Sequence, residues 1–210
     1  MASFENAGSG AMVRRVAAAV VENRAWLSEI DGKIGDGDHG NNMAKGFGRA
    51  AERIDDADTL DAAFATLTDV LMGEIGGSMG PLYGMFFSDM ADVVVGKDRI
   101  DAPTFAAMLA AGAEGVMAIG EAKPGDKCLL DALCPAVRAA EETAPQGFPA
   151  TLSAVRAAAE QGRDATRDMI AKIGRASRLG ERSRGVQDAG ATSCALILVT
   201  LANEIEARLG

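Results

Sequence analysis

Apolar residues recur at steps of three and four positions along most of the chain, which is the spacing of one face of an α-helix. The apolar run at 195–201 would also suit a buried strand, but no second segment offers it a partner. Eight helices with short connections favour antiparallel neighbours in one bundle or barrel, with functional groups in the end loops. The pattern places the apolar positions of the eight helices within 13–30, 43–54, 64–75, 82–95, 105–119, 129–137, 152–173 and 191–209.

The composition agrees with a helical globular protein. Aromatic residues make up 4% of the chain, while alanine-rich stretches such as 17–19 and 157–159 favour helix over strand. Hydrophobic residues at 48% and charged residues at 24% exclude a disordered chain. Because 210 residues suit one domain, we assign residues 1–210 to a single all-α domain.

Charge and cysteine content restrict which partners the protein can bind and which cellular compartment it occupies. The net charge of -9 repels nucleic acid and anionic lipid, and no apolar window reaches the ~20 residues of a membrane span. We therefore expect neither nucleic acid nor a membrane as partner. Cys128, Cys134 and Cys194 form no C-x-x-C pair and lie in apolar stretches, which predicts buried thiols in a reduced compartment, the cytoplasm.

The loop after the first predicted helix carries three carboxylates, Asp31, Asp36 and Asp38, among glycines at 32, 35, 37 and 40. Carboxylates this close repel one another unless a hard cation such as Mg²⁺ or Ca²⁺ lies between them. An EF-hand is excluded, because Asn41 and Phe47 occupy its required Gly and Glu positions. The alternative is a solvated Asp-Gly loop. Since Mg²⁺ usually completes its coordination with substrate phosphate, a nucleotide is the natural ligand.

Three further segments offer features that suit a nucleotide. Glycine-rich residues 76–81 and 120–127 each lead into a predicted helix, whose free N–H groups attract anions. Residues 76–81 form neither a Walker A loop nor a dinucleotide fingerprint, and the alternative for them is a plain glycine-rich turn. Residues 174–184 contain four arginines, which form either a solvated helix end or a clamp for an anionic partner. The single histidine, His39, is a phosphoryl carrier, a general base, a metal ligand or a hydrogen-bonding loop residue.

The order of these motifs resembles the nucleotide-binding L subunit of bacterial dihydroxyacetone kinase. The likeness covers nearly the whole chain, through residues 27–46, 76–84, 125–127, 131–133, 174–183 and 187–193. The resemblance implies an eight-helix barrel that holds ADP or ATP at one end through two Mg²⁺ ions bound by Asp31, Asp36 and Asp38. The nucleotide-pocket residues that it implies are His39, Gly40, Asn41, Asn42, Ser78, Met79, Gly120, Leu129, Arg175, Asp188, Ala189 and Gly190.

The resemblance also implies a phosphoryl relay. ADP would stay bound, take phosphate from a phosphohistidine carrier protein and pass it to dihydroxyacetone held on a separate sugar-binding subunit. We choose Arg175 and Arg178 as donors that stabilise charge in the transition state. The alternatives are an ATP-exchanging kinase subunit for another small ketose or hydroxylated acid, and a nucleotide-sensing interaction module. Three positions depart from the family pattern, namely Met79, Cys128 and Ala189.

Overall fold

The computed structural model describes residues 2–209, and most of them are helical. The predicted all-α fold is confirmed. The two short strands are β1 (Ser3–Glu5) and β2 (Arg99–Asp101), and 3₁₀ turns cover Ala144–Gln146, Thr166–Asp168 and Arg175–Ser183, the last of which is interrupted at Gly180. The helices are α1 (Gly10–Glu22), α2 (Arg24–Gly32), α3 (His39–Ala51), α4 (Leu60–Glu74), α5 (Met79–Val94), α6 (Ala102–Ile119), α7 (Leu130–Thr143), α8 (Phe148–Ala165) and α9 (Ala189–Arg208).

Eight of these helices form a closed ring around one apolar core. From α3 to α9 each helix packs against the next, and α1 closes the ring by packing against both α9 and α3. Helix α2 lies outside this ring, against α3 and α9. Residues 195–201 belong to α9 and are helical, so the alternative of a buried strand there is wrong. The predicted eight-helix barrel is therefore present, with a ninth helix attached to it.

The ninth helix arises because the first predicted helix is two helices. Asn23 separates α1 from α2, and its side-chain amide donates to the Ala19 carbonyl at 2.9 Å. An asparagine side chain that competes for a backbone carbonyl in this way favours a helix end over a helix interior. The apolar spacing of residues 13–30 continues across the break, so periodicity alone did not reveal it.

The seventh predicted helix is also shorter than expected. Helix α8 ends at Ala165, eight residues before the end of the apolar pattern at Ile173. The Thr166 hydroxyl donates to the Arg163 carbonyl at 2.6 Å and accepts from the Asp188 amide at 2.9 Å. These bonds turn the chain away from the helix axis, and the apolar residue Ile173 is only partly buried.

An antiparallel strand pair closes the end of the barrel opposite the aspartate-rich loop, which the sequence did not predict. Phe4 of β1 lies opposite Ile100 of β2, and both side chains are buried. Asn6 follows β1 and is buried as well. Its side chain accepts from the Leu60 amide at 2.7 Å and donates to the Lys97 carbonyl at 2.8 Å. Each strand has three residues, too few for an alternating pattern to be recognised.

Two expectations about burial can be compared with this fold. The three cysteines are free thiols in the buried core, as predicted. Within residues 2–209, α6 is the one helix that is long and apolar enough to cross a membrane by length and composition. It packs between α5 and α7, and half of its residues are buried inside the protein. Its apolar character therefore matches a core helix of the barrel.

Candidate functional site

The aspartate-rich loop runs from the last turn of α2 to the first turn of α3. The backbone carbonyl of Asp31 accepts from the Gly35 amide at 2.6 Å, and one Asp31 carboxylate oxygen accepts from the His39 amide at 3.2 Å. A Cβ atom at Gly35 would collide with the Asp31 carboxylate, and Gly37 has a φ of 78°. Glycine is therefore required for this loop to fold back over the end of α2.

The other two carboxylates lie on the exposed side of the loop. Asp36 forms an ion pair with Arg175, which joins the two motifs that the sequence analysis had singled out separately. Asp38 is exposed and lies at the N-cap position of α3. Among the described residues no three His, Cys, Asp or Glu side chains converge into a ready-made metal site. The donors nevertheless suit a hard cation, because all three are carboxylates with hard oxygen atoms.

The N-terminal parts of α3, α5 and α9 meet beside this loop. His39 is the first residue of α3, and its Nε2 lies 2.9 Å from the Ser193 hydroxyl of α9. The same hydroxyl lies 2.7 Å from the hydroxyl of Tyr83 in α5. Burial lowers the pKa of His39, against an opposing effect of Asp31, and burial raises the pKa of Tyr83. His39 is thus held by a hydrogen bond to Ser193, and its burial disfavours the charged form of the ring.

A fourth helix start, that of α7, adjoins α9 at the same place. A Cβ atom at Gly190 would lie 3.4 Å from the Leu129 backbone nitrogen, so these two segments are in contact. Asp188 caps α9 by accepting from the Ala191 amide at 2.7 Å. Burial raises the pKa of Asp188 to about 7, with Asp131 adding to the effect and Lys127 opposing it. Four helix N-termini therefore converge, and their dipoles favour an anion.

Contacts bring some of the predicted site residues together and leave others apart. Contacts join Asp31, Asp36, His39, Leu129, Arg175 and Gly190 into one region. Ser78 and Met79 start α5 and Gly120 follows α6, and within residues 2–209 no side-chain hydrogen bond ties Ser78 or Met79 to that region. Arg178 forms no ion pair in the same part of the chain. Asn41, Asn42 and Ala189 lie in the first turns of α3 and α9.

Two residues of this region were not singled out from the sequence. Ser193 and Tyr83 connect His39 to the core, yet neither type carries a sequence signal for that position. Both residues lie within stretches that resemble the kinase subunit, Tyr83 in 76–84 and Ser193 in 187–193, and this was the available indication. A surface depression of about 560 Å³ lies elsewhere, along α1 beside Arg14 and Arg15, and holds none of the predicted site residues.

Comparison with known proteins identifies the family to which this arrangement belongs. A family model of the DAK2 domain matches residues 33–203. The chain belongs to the DAK2 domain family. It is 35% identical over 200 residues to the "PEP-dependent dihydroxyacetone kinase 2, ADP-binding subunit DhaL" of Listeria innocua, covering 93% of each chain. The resemblance inferred from the sequence motifs is thus confirmed, and the chain is a subunit of a phosphotransferase.

Two larger DAK2 proteins extend the comparison. The L-erythrulose kinase of Pectobacterium atrosepticum is 36% identical over 185 residues, which cover 85% of this chain and 31% of that protein. The crystal structure of the C. freundii dihydroxyacetone kinase in complex with AMP-PNP and Mg²⁺ superposes with a TM-score of 0.68 at 25% identity. The match covers 92% of this chain and 33% of that one. The barrel thus corresponds to about one third of these longer kinases.

Proposed function

We propose that this DAK2 chain is the Mg-ADP-binding subunit of a dihydroxyacetone kinase, acting with residues 1–210 as one L-type domain. It would relay a phosphoryl group from a phosphohistidine carrier protein to dihydroxyacetone on a separate sugar-binding subunit. The observation that carries the proposal is the meeting of the aspartate-rich loop, Arg175 and four helix N-termini at one end of the barrel. The Listeria innocua relative, named as an ADP-binding subunit of a PEP-dependent kinase, supports it.

The residues of the aspartate-rich loop fit the metal in this proposal. Asp31, Asp36 and Asp38 would hold two Mg²⁺ ions, and the AMP-PNP and Mg²⁺ complex of the structural relative supports magnesium as the metal. Bound magnesium and nucleotide would supply charge neutralisation and the transferable phosphate. Because carboxylates are hard oxygen donors, their replacement by amides should weaken the metal site without removing the loop.

The remaining residues would bind and orient the phosphates. The free N–H groups at the starts of α3, α5, α7 and α9 offer donors and a favourable dipole to an anion. Arg175, which pairs with Asp36, would stabilise charge on the transferred phosphoryl group, and Arg178 is the second candidate on the same segment. His39 would donate or accept a hydrogen bond and hold no phosphate itself, since Ser193 already engages its Nε2.

The proposal is tested by asking what the purified protein carries and what it transfers. Mass analysis of small molecules released by acid should find ADP, the coenzyme of the relay. A reconstituted mixture with a sugar-binding subunit and a phosphorylated carrier protein should then produce dihydroxyacetone phosphate without added ATP. If the mixture gives no transfer with either the carrier or ATP although the chain binds Mg-ADP, a nucleotide-sensing role replaces the relay.

A second candidate is an ATP-exchanging kinase subunit for another small ketose or hydroxylated acid. The L-erythrulose kinase relative favours it, because its name records a different ketose and its match to this chain has similar identity. An empty nucleotide site after purification, together with transfer that requires free ATP, would support this candidate over the ADP-retaining relay.

A further inference from the structure

Lys127 lies close to the proposed site but is not one of its predicted residues. Its side chain is buried, with 2% of the residue exposed, and its ammonium group donates three hydrogen bonds. The acceptors are the backbone carbonyls of Ser183 at 2.5 Å, Val186 at 2.7 Å and Met169 at 3.2 Å. All three protons of the ammonium group are therefore used.

The three acceptors belong to one stretch of chain. We call residues 166–187 the arginine segment, since this stretch connects α8 to α9 and contains five arginines, namely Arg167, Arg175, Arg178, Arg182 and Arg184. Met169 lies near its start, and Ser183 and Val186 lie near its end. The Lys127 ammonium group thus joins the two ends of the segment to the loop before α7.

The backbone of Lys127 is strained. Its φ of 65° makes it the one non-glycine residue with a positive φ in residues 2–209. A lysine in this conformation costs free energy that a glycine would avoid. Position 127 therefore holds a lysine even though a glycine would be less strained there. This indicates that the structure depends on the ammonium group at this position.

Apolar packing contributes little to holding the arginine segment. Within this segment Thr166, Ala171 and Ser183 are buried, and Ile173 is the one partly buried apolar side chain packed against the core. The segment is held mainly by hydrogen bonds. The Ala171 amide donates to the Ser183 hydroxyl at 2.9 Å, and the Lys172 amide donates to the Asp126 carbonyl at 3.0 Å. Loss of the three Lys127 bonds would leave the segment with few other attachments to the barrel.

We propose that Lys127 is a positioning residue whose ammonium group holds the arginine segment on the barrel and thereby places Arg175 beside Asp36. The inference concerns the order of the segment in the protein without ligand, so it does not need the proposed function. Its consequence for nucleotide binding does rest on that function.

Hydrogen exchange of the ligand-free protein, read by mass spectrometry, provides the test. Lys127→Met removes the donors and keeps most of the side-chain volume, whereas Lys127→Gly also relieves the backbone. Both variants should exchange the amides of Ala171, Lys172 and Gly185 at least tenfold faster than wild type, while α4 to α6 keep their wild-type rates. Lys127→Arg, which keeps a cationic donor, should give a smaller increase. Lys123→Met, which changes an exposed lysine of the same loop, serves as the matched control and should behave as wild type.

Each other result would overturn the proposal. Wild-type exchange in Lys127→Gly would mean that the side chain is dispensable, and equal acceleration in every helix, including complete unfolding, would mean a general role in stability. Trypsin supplies an independent measurement, since cleavage after Arg175 or Arg178 should precede cleavage in the helices only when Lys127 is replaced. If the exchange result holds but wild type binds no Mg-ADP, the proposed function fails while the positioning role stands.

Discussion

The two ends of the barrel use buried polar groups in different ways. At the strand-pair end, Asn6 is a neutral amide that both accepts from the Leu60 amide and donates to the Lys97 carbonyl. At the site end, Lys127 is a cation that only donates, and its partners all lie in one weakly buried segment. The amide ties the strand pair to α4, whereas the ammonium group attaches a segment that carries exposed arginines.

This difference indicates that one end of the barrel serves stability and the other serves binding. The strand-pair end covers apolar residues such as Phe4 and Ile100 and closes the core. The site end leaves Asp36, Asp38 and Arg175 exposed, where a ligand can reach them, and burial shifts the pKa values of His39 and Asp188 there. Changes at the first end should therefore alter stability and leave binding intact, and most changes at the second should do the reverse.

The largest effect is expected at the strand-pair end. Asn6→Ala removes hydrogen bonds to the Leu60 amide and the Lys97 carbonyl and leaves these buried groups without their partner. The free energy of unfolding should fall by about 3 kcal/mol, as for two or three lost buried hydrogen bonds. Urea denaturation measures the loss, and calorimetry should show unchanged Mg-ADP affinity in the folded variant.

A matched change nearby separates this effect from ordinary surface variation. Arg14→Ala breaks an exposed ion pair with Asp56 of 2.8 Å, which should cost less than ~1 kcal/mol. Equal losses in the two variants, or a clear loss of nucleotide affinity in Asn6→Ala, would contradict the proposed separation of the two ends.

Ligand addition should stabilise the protein from the site end. A nucleotide that binds only the folded barrel adds ~2.7 kcal/mol when its free concentration is a hundred times its dissociation constant. The melting temperature should therefore rise when Mg²⁺ and ADP are added together. If EDTA leaves the nucleotide-induced shift untouched, the carboxylates do not act through a cation.

The sequence predicted the barrel better than it predicted the loops. Steps of three and four apolar residues were enough for the ring of helices, because burial of one face decides where a helix packs. The break at Asn23 and the early end of α8 at Ala165 depend on side-chain hydrogen bonds to the backbone, which leave the apolar pattern unchanged. The three-residue strands are too short to show any pattern.

The site was predicted where local sequence defines it and missed where the fold assembles it. Asp31, Asp36 and Asp38 are close in sequence, so their spacing alone indicated a cation site. The pair of Asp36 with Arg175 and the contact of His39 with Ser193 join residues more than 130 positions apart, and no local signal could predict them. Ligation by the carboxylates and the catalytic roles of Arg175 and Arg178 stay predictions.

His39 provides the next test, because a lone histidine beside the proposed phosphate site invites assignment as a phosphoryl carrier. Since Ser193 engages its Nε2, we expect His39→Asn to retain phosphoryl transfer with a ten- to a hundredfold loss, roughly 1.4–2.7 kcal/mol of barrier. Labelled phosphoryl donor, followed by alkaline denaturation, shows where the phosphate lies. Label that stays on wild-type protein but not on His39→Asn would make this chain a covalent carrier.

Substitutions in the aspartate-rich loop should weaken ligand binding without unfolding the loop. Asp36→Asn and Asp38→Asn each remove a negative charge at nearly constant shape, so Mg-ADP affinity should fall at least tenfold, or ~1.4 kcal/mol. Calorimetric titration measures the change. Glu29→Gln, one exposed carboxylate of α2 paired with Lys33 at 3.0 Å, is the control and should bind as wild type. Unchanged ADP affinity in both aspartate variants would refute their assignment as ligands.

The smallest effect concerns how stability depends on pH through Asp188. This residue caps α9 and also lies at the site end of the barrel. Its pKa is raised to about 7 in the folded protein, chiefly by burial, against an ordinary value of 3.8. Between these values the folded chain holds a proton that the unfolded chain has released, so this group makes stability fall as pH rises from about 4 to about 7.

Asp188→Asn can still accept from the Ala191 amide but no longer titrates. From pH 5 to pH 7.5, urea denaturation should show wild type losing about 1 kcal/mol relative to Asp188→Asn, a modest figure because the residue is only partly buried. Parallel pH profiles of the two proteins would show that the carboxyl of Asp188 is ionised throughout this range and that its burial does not control stability.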